Sequence, residues 1–228
     1  MATAGDRVVT VIGGTGFLGR CIVRHLRLHD FCVRIASRHP DRGHVLVGPD
    51  NPPLQSIKVD VRDEKSVADA LADAYGAVNA VSLYLERGQE TFHTIHVESA
   101  RRVAAQAQRR GVKRLIHVSG IGADPGSQSL YIRKRGEGEL AVREAFADAI
   151  LIRPAVMFGP DDAFLTPNPQ ASQAAPVLSD IRQWPDAITA GLRRRCRAGD
   201  RKDNGMGANR PDYVRVRWAP RILLRRSS

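Results

Sequence analysis

An α/β fold, a doubly wound parallel sheet with helices on both faces, is predicted by three features. These are a series of short apolar β-branched runs, segments of helical period between them, and a glycine-rich turn directly after the first run. The expected strands are 8–12 (VVTVI), 31–36 (FCVRIA), 56–60 (SIKVD), 77–83 (AVNAVSL), 112–118 (VKRLIHV) and 149–153 (AILIR). Leu18, Ile22 and Leu26 line one face of the first intervening helix. Val67, Ala70, Leu71 and Ala74 mark a second, and Ala100, Val103, Ala104 and Ala107 a third. Parallel neighbours need such crossovers, and crossovers are right-handed, so a doubly wound sheet is the economical topology.

The chain has 228 residues, enough for one sizeable core with an appendage but short for two full domains. No stretch reaches the length of apolar sequence that a membrane span needs, and Met1–Asp6 is too polar and short for a secretory signal, so the expectation is a soluble, cytoplasmic protein. Cys21, Cys32 and Cys196 are odd in number and lack metal-ligand spacing, which suits a reducing compartment. His93, His96 and His117 have no cysteine or carboxylate at ligand spacing, so no metal site is expected.

The net charge of +11 is unevenly placed. Residues 1–165 carry 22 Lys and Arg against 19 Asp and Glu, whereas residues 166–228 carry 13 against 5. The basic excess therefore belongs to a tail rich in Arg, Pro and Gly, containing both tryptophans, Trp184 and Trp218, without sustained period. Its arginines alternate with Asp, Gly and Pro, and neither an aromatic stacking platform nor an amphipathic stripe organises them. Nucleic acid is accordingly not the expected partner. The domain reading is a dinucleotide-binding unit over 1–165 and a poorly structured basic tail over 166–228.

The turn Gly13-Gly14-Thr15-Gly16-Phe17-Leu18-Gly19 lies between the first strand and the first helix. Gly13 suits the tight turn, Gly16 the approach of a pyrophosphate, and Gly19 close packing of helix on strand, while the helix N-terminus attracts phosphate charge. Thr15, Phe17 and Leu18 complete the predicted cradle. This placement makes the unit a Rossmann-type domain.

Where a site for the dephosphorylated dinucleotide ends its second strand with Asp or Glu, this chain has Ala36-Ser37-Arg38-His39-Pro40. Ser37 and Arg38 fall where a 2′-phosphate would lie, and the planar fork of arginine matches phosphate, so NADP(H) is favoured with NAD(H) as the alternative. Arg20 is a candidate support.

The spacing G-x-x-G-x-x-G, together with Val59-Asp60-Val61-Arg62-Asp63, Val78-Asn79-Ala80-Val81 with Ser82, His117-Val118-Ser119-Gly120-Ile121-Gly122-Ala123-Asp124, Tyr131, Arg153-Pro154 and Phe158-Gly159-Pro160-Asp161-Asp162, resembles the atypical, extended branch of the short-chain dehydrogenase/reductase superfamily. Within that branch it is similar to epimerase/dehydratase-like proteins, and most of all to those resembling the nucleotide-binding accessory subunit of respiratory complex I. The resemblance covers residues 7–165. It implies that Asp60 and Val61 flank the adenine and that Val81 lines the nicotinamide side.

It also implies a hydride-transfer site with Tyr131 as acid/base, Ser119 holding the substrate oxygen, and a lysine four residues after the tyrosine. Here that position is Arg135, with Lys134 one place early and about 100° away around a helix. Arg135 supplies permanent charge to Tyr131 but is a poorer ribose ligand. Two functions are therefore expected. One is an NADP(H)-binding oxidoreductase or epimerase acting through Ser119, Tyr131 and Arg135. The alternative is a non-catalytic nucleotide-binding subunit or sensor, associated with a protein complex or peripherally with a membrane through a respiratory complex.

The tail does not resemble the family's C-terminal part, and two origins are expected for it: a shift of reading frame near residue 165, or a natural basic tail that steers the protein to nucleic acid or anionic lipid. Gly191–Asp200 can be coded so that reading one nucleotide later gives D-Y-V-E-D-V-A-Q-A-I, similar to the helix-opening Y-V-x-D-V-A of the family. Substrate identity is not readable, because the segment that would select it is the one that fails to match.

Overall fold

In the computed structural model, residues 7–29, 31–42, 54–158, 178–180, 188–189 and 191–192 are described. The strands are β1 (Val8–Ile12), β2 (Cys32–Ser37), β3 (Gln55–Lys58), β4 (Gly76–Asn79), β5 (Arg114–Val118) and β6 (Ile150–Ile152). They form one parallel sheet in the order β3-β2-β1-β4-β5-β6, with Val9 opposite Val33 on one side and Gly76 on the other. The chain reverses its direction of winding between β1 and β4, and that switch point opens a crevice beyond the carboxyl ends of the strands. Two further strands, β7 (Val156–Phe158) and β8 (Leu178–Asp180), pair in parallel in a separate sheet.

The apolar periods resolve into helices on both faces. On one face lie α2 (Glu64–Ala70), α3 (Ala100–Arg109) and α4 (Leu130–Ala145), with α3 continuing directly from a π-helical segment, His93–Ser99. Val67, Leu71, Val103, Ala104, Ala107 and Val142 are buried there with Leu115 and Leu151 of the sheet. Asp63 caps α2, its carboxylate accepting from the amides of Lys65 and Ser66 at 3.1 and 3.3 Å. The buried Thr10 hydroxyl donates to the Ala70 carbonyl at 2.9 Å, so the one polar side chain in the middle of β1 is satisfied.

On the other face α1 (Phe17–Leu28) inserts Leu18, Ile22, Val23 and Leu26 against Val9, Val11, Val33 and Ile35. Full burial of side chains of this size contributes about 1.5–3 kcal/mol each. Ile188 and Leu192, each 0% exposed, complete this core from far along the chain. The Tyr75 hydroxyl donates to the Leu192 carbonyl at 3.2 Å, and a Cβ on Gly191 would stand 3.1 Å from Ile150 Cδ1.

The strand predicted over 77–83 ends at Asn79. The apolar run continues, but the Asn79 side-chain oxygen accepts from the Val81 amide at 3.2 Å and turns the chain out of the sheet. Other strand boundaries differ from expectation by one or two residues, within the ordinary fraying of element ends. The Gly159–Asp162 motif and most of the 166–228 tail, including Trp184, Cys196 and Trp218, lie outside the described residues.

Candidate functional site

The phosphate end of the crevice is made almost entirely of backbone. Gly13 leaves β1 with φ of +82°, a conformation that side chains strongly disfavour, and its amide donates to the Ala36 carbonyl at 2.8 Å. Gly19, one turn into α1, faces this bend so closely that a Cβ there would lie 2.1 Å from the Gly13 carbonyl oxygen. The loop and helix thus touch backbone to backbone. Gly16 is the N-cap of α1; no side chain caps the helix, and its first turn holds no acidic residue. Its N-terminal amides and the positive end of its dipole are left for an anion.

A cavity of about 350 Å³ adjoins this loop. Gly13, Thr15, Gly16, Ser37, Arg38, Asp60, Val61 and Val81 line it, as does Ser82, whereas Ser119, Tyr131 and Arg135 do not. Of the remaining predicted cradle residues, Leu18 is buried in the α1 core, Phe17 packs against that core, and Gly19 acts through its contact with Gly13. Arg20 is half-buried on α1 and outside the cavity lining. At Asp60, the Arg62 guanidinium grips both carboxylate oxygens, with Nη2 to Oδ2 at 2.6 Å, and holds the Asp60 carboxyl below its ordinary range.

The second cluster is built from side chains on several elements. Arg135 on α4 is 7% exposed; its Nη1 donates to the Tyr131 hydroxyl at 2.8 Å and to Ser82 Oγ at 3.0 Å. Its carbon centre lies 5.3 Å from the Tyr131 ring centroid. Gly120 leaves room for it, since a Cβ there would be 3.0 Å from Arg135 Nε. Tyr84 stacks on Tyr131 at 6.3 Å between centroids, and Phe92 and His96 meet the ring edge-on at 5.3 and 5.6 Å.

The His96 Nε2 donates to the Leu83 carbonyl at 3.0 Å; burial first, then the Arg135 charge, brings its pKa down to about 4. His117 is pushed down to about 3 by burial and by the same guanidinium, and its Nδ1 accepts from the Asn79 amide at 3.3 Å. Both imidazoles are neutral at pH 7.

Tyr131 and Arg135 are therefore brought together, with Ser82 as the hydroxyl that shares Arg135. Ser119, at the end of β5, is 2% exposed, and its Oγ has no hydrogen-bond partner among the described residues. Lys134 turns to Glu137 at 2.7 Å, away from the position that Arg135 fills. Sequence reasoning passed over Glu90, Arg42 and Ile95, which also line the cavity, and the part of His96 beside Tyr131. No local pattern marks Glu90, which meets Arg38 from 52 residues away. Among the described residues no His, Cys, Asp or Glu cluster could hold a metal ion, and no helix is long and apolar enough to cross a membrane.

The NAD(P)H-binding family matches residues 13–162. The chain is 36% identical over 160 residues to the mitochondrial NADH dehydrogenase [ubiquinone] 1 alpha subcomplex subunit 9 of Rattus norvegicus, covering 69% of this chain and 42% of that one. It is 32% identical over 188 residues to the ceramide reductase of Caulobacter vibrioides, covering 80% and 56%. The chain thus spans about half the length of the curated relatives it matches. The structure of Bordetella bronchiseptica WbmG in complex with NAD superimposes with a TM-score of 0.64 at 17% identity, covering 81% of this chain and 68% of that one. A Rossmann-fold NAD(P)-binding family protein from Shigella flexneri gives 0.61 at 17%, covering 82% and 86%.

Proposed function

Because the chain belongs to the NAD(P)H-binding family, we propose that it binds NADP(H) in the crevice at the β1–β4 switch point and acts as an atypical short-chain dehydrogenase/reductase. The observation that carries this is the fit of the loop to a pyrophosphate: a Gly13 at positive φ and a Gly19 with no room for a Cβ, beside an uncapped helix end, opening on the cavity. Gly13–Gly19 would hold the phosphates, Ser37 and Arg38 the 2′-phosphate, Asp60 and Val61 the adenine end, and Val81 the nicotinamide side. When bound, the cofactor supplies a hydride donor or acceptor.

In this reading Tyr131 exchanges a proton with the substrate oxygen. Arg135 holds the phenol by donating to its oxygen, which leaves the phenolic hydrogen free to point toward a substrate. Ser119, with its hydroxyl unengaged, is the candidate second donor to that substrate oxygen. Tyr84, Phe92 and the neutral His96 limit water around the phenol.

A second reading is favoured by the same corner. Arg135 is tied to Ser82 and Tyr131 and stands where the resemblance implies a lysine, which suits a subunit or sensor that binds nucleotide without turning it over. The similarity to a complex I subunit supports this reading and a peripheral association with a membrane complex; the similarity to a reductase supports the first. A cytoplasmic or membrane-peripheral setting follows the same division.

Titration of the purified chain with NADPH and NADH tests the binding. Tight NADPH binding weakened at least tenfold by Arg38→Ala is expected, and binding of neither nucleotide by folded protein overturns it. Steady-state oxidation of NADPH with carbonyl and quinone acceptors then separates the two readings. A loss of at least a hundredfold in Tyr131→Phe marks catalysis, and equal rates remove Tyr131 from the chemistry.

The domain assignment proposed with this function is a dinucleotide unit over 1–165, followed by a tail read out of frame from near residue 165. The family match ending at residue 162 and the change of composition beyond it support this, whereas the burial of Ile188 and Leu192 in the core beside α1 counts against it. Codons for Gly191–Asp200 that spell D-Y-V-E-D-V-A-Q-A-I one nucleotide later are the expected result of sequencing the gene; codons that do not allow it refute the shift.

A further inference from the structure

Arg38, the cation set for a 2′-phosphate, is already engaged. Its Nη1 donates to Oε1 of Glu90, in the loop between β4 and the π-helical segment, and both residues line the cavity. The Arg38 side chain is 57% exposed and that of Glu90 24%, so the guanidinium reaches over to a more enclosed carboxylate. The fold also fixes the carboxylate's origin. The Arg87 amide donates to the Glu90 carbonyl at 3.0 Å and the Glu90 amide to the Arg87 carbonyl at 2.9 Å, closing the turn from which the side chain projects. The neighbouring Arg62 is committed to Asp60 and is not a substitute.

We propose that Glu90 is a resident competitor for the dinucleotide 2′-phosphate and sets the selectivity between NADP(H) and NAD(H). This rests on the reading that the cavity takes a dinucleotide with its adenosine ribose at Arg38. A 2′-phosphate brings about two negative charges and three acceptor oxygens, so it takes the guanidinium from a single carboxylate. The gain is measured against an ion pair that already exists, and the displaced Glu90 is left facing a like charge. A ribose 2′-hydroxyl disturbs neither partner. Glu90 thus narrows the advantage that Arg38 gives the phosphorylated cofactor.

The test is a calorimetric titration of the full chain with NADPH and with NADH, in wild type, Glu90→Gln, Arg38→Ala and the double variant, with unfolding melts to establish that each is folded. Glu90→Gln is expected to raise the ratio of NADPH to NADH affinity about three- to tenfold at low ionic strength. The gain should shrink as salt is added and vanish in the Arg38→Ala background. An unchanged or lowered ratio in Glu90→Gln, with Arg38→Ala still weakening NADPH, overturns the role of Glu90 and leaves the NADP(H) reading standing. If Arg38→Ala leaves NADPH binding untouched, both fall together.

Discussion

The two halves of the candidate site, the glycine loop and the Tyr131 cluster, are built on different principles. At the Gly13–Gly19 end, main-chain groups within a few residues of one another make the surface, and what matters is the absence of side chains. At the Tyr131 end, side chains from the β4 exit, the π-helical segment and α4 gather around one buried guanidinium, for which Gly120 at the β5 exit leaves room. The first end depends on local geometry and little on protonation. The second concentrates charge, aromatic contact and two depressed imidazoles, so its stability depends on pH.

The largest expected effect follows from that asymmetry. His96 and His117 have folded pKa values of about 4 and about 3, below the 6.5 of an unfolded chain. Their contribution to stability is full above pH 6.5 and declines as pH falls toward those folded values, because the unfolded state takes up protons first. By pH 5 each should have cost about 2 kcal/mol. Urea unfolding at a series of pH values should show this slope, and His96→Gln, which retains a donor for the Leu83 carbonyl, should remove about half of it. An equal slope in that variant would assign the acid sensitivity elsewhere.

At the other end, Gly19→Val forces a side chain into the Gly13 carbonyl. Abolished binding of both nucleotides and a loss of about 1–3 kcal/mol in unfolding free energy are expected, measured by calorimetry and urea melts. Retained binding would show that the loop can separate from α1. Back at the Tyr131 end, Arg135→Met should move the imidazole titrations of His96 and His117 upward, since the guanidinium charge depresses both. NMR titration reads this shift directly, and unmoved values would leave burial as the sole cause. The smallest effect is expected for Tyr131→Phe, which keeps the ring beside Tyr84 and Phe92 but removes one hydrogen bond from Arg135. A cost of about 0.5–1.5 kcal/mol is expected in the same urea assay.

The same division explains what was legible. The sheet and the helices Leu18–Leu26 and Ala100–Ala107 declare themselves through apolar period, and the glycine loop through spacing, because both depend on near neighbours in sequence. Arg38 could be named from its place at the strand end, but its partner Glu90 could not, since only the fold brings the β4 loop across to β2. Likewise, Ser119 and Tyr131 were visible as a spaced pair, whereas the tie between Ser82 and Arg135 emerges only once α4 lies over the β4 exit. The short β4 was hidden because Asn79 bends the chain through a side-chain bond that composition does not announce.

The bond between Tyr75 and Leu192, 117 residues apart, has a consequence in time. At a synthesis rate of about 5–20 residues per second, roughly 6–23 s pass between the making of those two residues. Throughout that interval Val9, Val78 and Ile116 await Ile188 and Leu192 on their face of the sheet. The nascent chain therefore offers an apolar surface to chaperones until Ile188 and Leu192 have left the ribosome.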